Sequence, residues 1–102
     1  MAKRQLIAEA QFDIRGSVKT MRLRFFKPTF NLEMNAWGCE YVYDEPFDIA
    51  RRIYGENSLQ ALTLALKVAS SDLYESDLYK SRSLGIFGEY GGNLLLPLPS
   101  QF

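Results

Sequence analysis

The chain reads as a single α+β domain: an antiparallel β-sheet of three to five strands with one long helix packed on a face. Three observations predict it. Residues 6–25 alternate apolar and polar side chains on either side of a Gly-Ser break, the period of half-buried strands. Residues 58–74 carry a broad apolar stripe at helical spacing. The length of 102 residues, with 47% hydrophobic and 24% charged residues, suits one core and not two.

The N-terminal elements form a hairpin. Leu6, Ala8, Ala10, Phe12 and Ile14 alternate with Glu9, Gln11, Asp13 and Arg15, and Gly16-Ser17 offers a two-residue turn with glycine first, the type II′ pattern. Strand two then places Met21, Leu23 and Phe25 on one face and Thr20, Arg22 and Arg24 on the other. Pairing Arg15 with Val18 sets Phe12 against Met21, Ala10 against Leu23 and Ala8 against Phe25. The same register sets Glu9 against Arg24 and Gln11 against Arg22 on the outer side. A slip of one residue breaks both sets at once, so the register is well specified.

Residues 28–35 are expected to be a connection, opened by Pro28. A third strand follows, with Trp37, Cys39, Tyr41 and Tyr43 sharing a face and Glu40 opposite. In 46–54, Pro46, Asp48, Arg51, Arg52 and the following Gly55 are compatible with a short helix. The alternation of Phe47, Ile49 and Ile53, and a turn at Asp44-Glu45, favour a strand folding back on strand three.

The helix spans about Ser58–Tyr74, with Asn57 as N-cap and Gln60 completing a capping-box-like pair. Leu59, Leu62, Leu66, Ala69 and Leu73 form one stripe, widened by Ala61, Leu64, Ala65 and Val68. Gln60, Thr63, Lys67, Ser70, Ser71 and Tyr74 remain as a polar strip. After a polar connection, Ile86–Tyr90 and Asn93–Leu96 flank Gly91-Gly92 as a second hairpin, and Pro97 and Pro99 end regular structure. The expected core is Phe12, Ile14, Met21, Leu23, Phe25, Cys39, Tyr41, Leu59, Leu62, Leu66 and Leu73.

Composition narrows the chemistry. There is no histidine and one cysteine, Cys39, which removes Ser-His-Asp and Cys-His catalysis and the common zinc ligand sets. No cofactor is implied. A single thiol calls for no oxidising compartment, the basic N-terminus is followed by too short an apolar run for a signal peptide, and no stretch matches a membrane span. The expected location is the cytoplasm. Twelve basic residues balance twelve acidic ones, but residues 1–27 hold seven Lys/Arg against Glu9 and Asp13.

Each candidate site has a plainer explanation that outweighs it. Asp44, Glu45 and Asp48 lack a calcium-loop pattern and read as an acidic turn. Cys39 reads as a small core residue. Gly85, Gly88, Gly91 and Gly92 lack the Lys-Ser pair of a phosphate loop. Arg22, Arg24 and Lys27, with Phe26 among them, offer a nucleic-acid contact, but Glu9 and Asp13 lie on the same face and a solvated, cross-paired surface is favoured. Tyr41, Tyr43 and Glu40 are the first residues of a small-ligand or enzymatic reading.

The segment Gly55-Glu56-Asn57-Ser58-Leu59-Gln60-Ala61-Leu62-Thr63-Leu64-Ala65-Leu66 resembles an uncharacterised bacterial family of small domains. That family carries a Gly-x-Asp-Ser-x-Gln-Ala-Leu-x-Leu-Ala-Leu helix start. Its preceding Trp-x-Cys strand is matched by Trp37-Gly38-Cys39, and its glycine-leucine-proline ending only loosely by Gly92–Pro97. Asn57 stands where the family has aspartate; either residue caps a helix. The resemblance covers roughly residues 5–97 and implies a small intracellular α+β unit; the family's function is unknown, so it lends no catalytic residues and no substrate.

The expectation is therefore a non-catalytic module that binds another protein or itself, with no membrane contact. The aromatic surface candidates are Phe26, Phe30, Tyr54, Tyr74, Tyr79 and Phe102. An immunity or inhibitor role would use the acidic groups Asp44, Glu45, Asp48, Asp72, Glu75 and Asp77 against a basic target.

Overall fold

The computed structural model describes residues 4–92, 94 and 96–102. They form β1 (Leu6–Ile14), β2 (Thr20–Phe26), β3 (Thr29–Asn31), β4 (Ala36–Tyr43) and β5 (Ile49–Gly55). The long helix α1 (Ser58–Tyr74), a short α2 (Asp77–Lys80), β6 (Leu84–Ile86) and β7 (Glu89–Tyr90) follow, with a closing 3₁₀ turn at Pro99–Gln101. The class is α+β, with an antiparallel sheet. The strands number seven, not three to five, because three of them are only two or three residues long.

The extra strands have simple origins. β3 occupies part of the expected connection: β2 pairs with Tyr41–Tyr43 and β3 with Ala36–Gly38 of β4, while β5 pairs along the whole of β4. A strand has two edges, so β3 prolongs β2 along one edge past a break at Lys27-Pro28. The sheet thus runs β5-β4-β2-β1-β6-β7. Residues 49–55 form a strand, and the expected β1–β2 register holds at every pair from Ala8↔Phe25 to Asp13↔Thr20.

The turns depart from expectation. Ser17 N–H donates to Ile14 O at 3.0 Å with Gly16 at φ +80°, so glycine sits third in a 14–17 turn, not second in a type II′ turn. The second hairpin turns at Phe87-Gly88, both at positive φ, not at Gly91-Gly92. Gly85 decides this: its missing side chain lets Glu89 O approach to 2.1 Å from where a Cβ would stand. Of the strand expected at Asn93–Leu96, Asn93 and Leu95 lie outside the described residues.

One face of the sheet is covered. α1 lies mainly over β4 and β5, and one buried core gathers Phe12, Met21, Leu23 and Phe25 of the hairpin with Cys39, Tyr41, Tyr43, Leu73, Leu84 and Leu94. The helix meets the sheet through Ala61, Ala65, Ala69 and Leu73, an i, i+4 row of mostly small residues. Leu59, expected in the core, is 71% exposed, and Ile14, Leu62 and Leu66 are only partly buried around it. On the helix the alanine row, not the earlier leucines, faces the sheet, and Leu59, two residues from Ala61, points away from it. Gly55 joins β5 to the helix so closely that a Cβ there would lie 2.6 Å from Ala61 N, and only small side chains fit that approach. Ser70, placed on the polar strip, is fully buried and gives its hydroxyl to Pro97 O.

Candidate functional site

The polar residues of the covered face are tied to the fold. Tyr41 donates to Asp72 Oδ2, and Arg51 bonds the same carboxylate through Nε at 3.0 Å and Nη2 at 3.3 Å. Tyr43 donates to Ala69 O at 2.6 Å. Burial pushes both tyrosines far above the ordinary range, and for Tyr41 the bond to Asp72 adds to it. Arg51 is raised by the same carboxylate. Glu40 lies on the opposite face, so Tyr41, Tyr43 and Glu40 do not meet in one site.

Cys39 is fully buried, 3.5 Å from Phe26 O, and burial raises its thiol. The thiolate is the reactive form, so this is an inert core position.

The acidic candidates disperse. Asp72 points into the fold, while Glu75 and Asp77 are exposed around the α1–α2 junction. Asp44 is shared by Arg24 and by Arg22, the latter at 3.4 Å, and no three Cys, Asp or Glu side chains converge as a metal site among the described residues. The aromatic candidates divide too. Tyr74 donates to Leu96 O at 2.5 Å and packs edge-on to Tyr79, ring centroids 4.9 Å apart; Tyr79 reaches Gly92 O at 3.4 Å. Both are half-buried supports of the C-terminal segment, not exposed groups. Phe26 and Tyr54 are half-buried as well, whereas Phe30 and Phe102 are exposed.

The face away from α1 is a different surface. The outward residues of β2, β4 and β5 include Arg22, Arg24 and Phe26, then Glu40 and Val42, then Ala50, Arg52 and Tyr54. Arg24 stands opposite Glu9 in register but is ion-paired with Asp44, just past the end of β4, which offsets part of the hairpin's positive charge. Arg4 bonds Glu40 at 3.0 Å and lies over the Phe26 ring at 4.3 Å. These groups and Lys27, Thr29, Phe30, Gly38 and Arg52 line a hollow of about 240 Å³.

Beside it runs the free edge of β5. Asp44 N–H donates to Arg22 O at 3.0 Å, which fixes the phase of the ladder. Backbone groups of an antiparallel strand alternate between its two neighbours. Even-numbered residues of β4 therefore bond toward β2, and odd-numbered ones toward β5. On β5, Ile49, Arg51, Ile53 and Gly55 bond inward, and Ala50, Arg52 and Tyr54 turn N–H and C=O outward. Among the described residues no other bond uses those groups. Sequence reasoning missed this edge, because alternation locates a strand but not its place in the sheet.

No curated protein and no solved structure shows significant similarity to the chain. No helix of the described residues is long and apolar enough to cross a membrane. A family comparison matches residues 8–98, most of the chain. By that match the chain belongs to the family described as Domain of unknown function (DUF6968).

Proposed function

We propose that this chain is a non-catalytic interaction module of a bacterial cytoplasm, and that it docks an extended acidic segment of another protein along β5. The observation that carries the reading is the row of unpaired backbone groups on Ala50, Arg52 and Tyr54. β5 is seven residues long, regular in register and free of proline, so it lacks most of the devices that keep an edge from pairing. Adding a strand satisfies those groups, and main-chain bonds supply much of the affinity in this mode of recognition.

Charge selects the occupant. Arg51 is held by Asp72, so the charge this strand has to offer is that of Arg52, which is exposed and has no carboxylate within ion-pair distance among the described residues. In a second copy of the chain, the antiparallel register that pairs all three outward residues sets Arg52 against Arg52, and like charges opposite one another destabilise a sheet. Aspartate or glutamate in the incoming strand gains where a self-pair loses. A nucleic-acid role for Arg22 and Arg24 has less support, since Asp44 holds both.

Selection from displayed random peptides, counter-selected on Ala50→Pro, tests the reading. Ala50 N–H faces outward, so proline there removes a docking donor without breaking the β4 ladder. The peptides recovered should be acidic and rich in β-formers, protect the amides of Ala50, Arg52 and Tyr54 from exchange, and fail on the variant. Peptides that bind the variant equally, or a dimer in solution that protects this edge, overturn the proposal.

A further inference from the structure

We infer that the hollow on the open face of the sheet, floored by Gly38, is a binding site for an oxyanion group, either a carboxylate or a phosphoryl. It shares Arg52 with β5 but uses that residue's side chain on the open face, not the backbone edge, and stands if the edge reading fails.

The placement of Arg52 carries the inference. In register Arg52 stands directly opposite Glu40, the natural partner for a cross-strand ion pair. Glu40 instead bonds Arg4. The Arg52 side chain runs diagonally across β4, over Gly38, and gives Nη2 to Thr29 Oγ1 on β3 at 2.8 Å. Its guanidinium has no carboxylate within ion-pair distance among the described residues, and Thr29 takes only one of its five N–H groups.

Gly38 makes this path available. A Cβ at that position would lie 2.6 Å from Arg52 Nε and 3.1 Å from the Tyr54 ring. Thr29 and Tyr54 hold the guanidinium in place, the latter with its ring centroid 5.9 Å away. A pre-positioned arginine loses less freedom when it binds an anion, and its planar fork matches both carboxylate and phosphate.

The surroundings set the ligand's charge and size. Arg4, Lys27 and Arg52 are opposed by Glu40 alone, so the hollow has an excess of positive charge. Phe26 adds apolar wall. A volume of about 240 Å³ is below the roughly 300–1,000 Å³ of whole-ligand pockets, so it fits one anionic group and not an entire cofactor.

Titrations of the folded protein followed by amide and arginine-side-chain NMR test this, using inorganic phosphate in one arm and a terminally blocked diglutamate peptide in the other. Saturable shifts at Thr29, Gly38 and Arg52 in either arm support the site, and the arm that saturates at lower concentration names the source of the oxyanion. Arg52→Gln should weaken binding about tenfold or more, the usual worth of a charge-assisted bond. Gly38→Ala should weaken it by pushing the guanidinium aside, and Lys67→Gln on the exposed helix surface should leave it unchanged. Absence of saturable shifts in both arms overturns the site. So does equal weakening by Lys67→Gln and Arg52→Gln, which would reduce the effect to net charge.

Discussion

Tyr41 on β4 and Asp72 on α1 are joined by a hydrogen bond from hydroxyl to carboxylate, and Arg51 on β5 closes on the same carboxylate from the solvent side. The three residues pin the helix across both strands beneath it. Tyr41 is fully buried, and the Asp72 side chain is only 15% exposed. Asp72 therefore belongs to the architecture, and an acidic docking surface on this side would have only Glu75 and Asp77 to use.

Removing Asp72 should cost more than removing its cation. Asp72→Ala strands the buried Tyr41 hydroxyl, a loss of about 1–3 kcal/mol. Arg51→Ala breaks a half-exposed ion pair, worth about 0–1 kcal/mol. Urea unfolding of both variants, and of Tyr41→Phe alone and combined with Asp72→Ala, measures the coupling. Additive effects in the double variant would show that the two side chains do not act as a unit.

Stability should fall at alkaline pH in a defined order. Burial raises Cys39, Tyr41 and Tyr43, and each group then keeps its proton in the fold at a pH where the unfolded chain releases it. The unfolded state binds fewer protons there, so the slope of stability against pH is negative. The contribution is complete below the unfolded-chain value, about 8.5 for a thiol and about 10 for a tyrosine, and is lost as pH climbs toward the folded value. Each group adds about 1.4 kcal/mol per pH unit while its two values bracket the pH. Denaturant midpoints from neutral pH upward should show a shallow decline removed by Cys39→Ala. A steeper decline should follow, reduced in Tyr43→Phe. An unchanged slope in both variants would contradict the assignment.

The N-cap gives a direct link from sequence to stability. Asn57 Oδ1 accepts from Gln60 N at 2.8 Å, and Gln60 Oε1 accepts from Glu56 N at 2.6 Å, so the reciprocal bond reaches one residue before the cap. Asn57→Ala should lower stability by about 1 kcal/mol, and Asn57→Asp should keep it nearly unchanged, because either side chain accepts the same bond. Thermal unfolding distinguishes these outcomes. An Asp variant as damaged as the Ala variant would mean that the amide nitrogen is also required.

How far the chain could be read depended on the kind of information each element carried. The β1–β2 register was legible because two faces with different chemistry constrain it together. The strand at 49–55 was legible from its alternation despite helix-like ends. The helix was found, but its buried side was misjudged: leucines mark what is apolar, while Gly55 and the row from Ala61 to Ala69 mark what must come close. Arg52 was hidden for a similar reason. Local sequence gives it Glu40 as a neighbour, and only the assembled sheet shows Arg4 taking that carboxylate. The free edge of β5 follows from strand order, a property of the whole sheet and not of any segment.

Gly55→Ala should be the most damaging small substitution at the sheet–helix junction. The added methyl carbon would sit 2.6 Å from Ala61 N and 3.0 Å from Ala61 Cα, both backbone atoms that cannot rotate away. Relief requires the first turn of α1 to lift from β5, which loosens the alanine row behind it. Overpacking of this kind costs about 1–3 kcal/mol. Gly38→Ala meets mainly the movable Arg52 side chain and should cost less. Calorimetry of the two variants decides the matter: Gly55→Ala should melt clearly below Gly38→Ala. Equal melting temperatures would mean that the helix start yields easily and that close packing at Gly55 does not hold α1 in place.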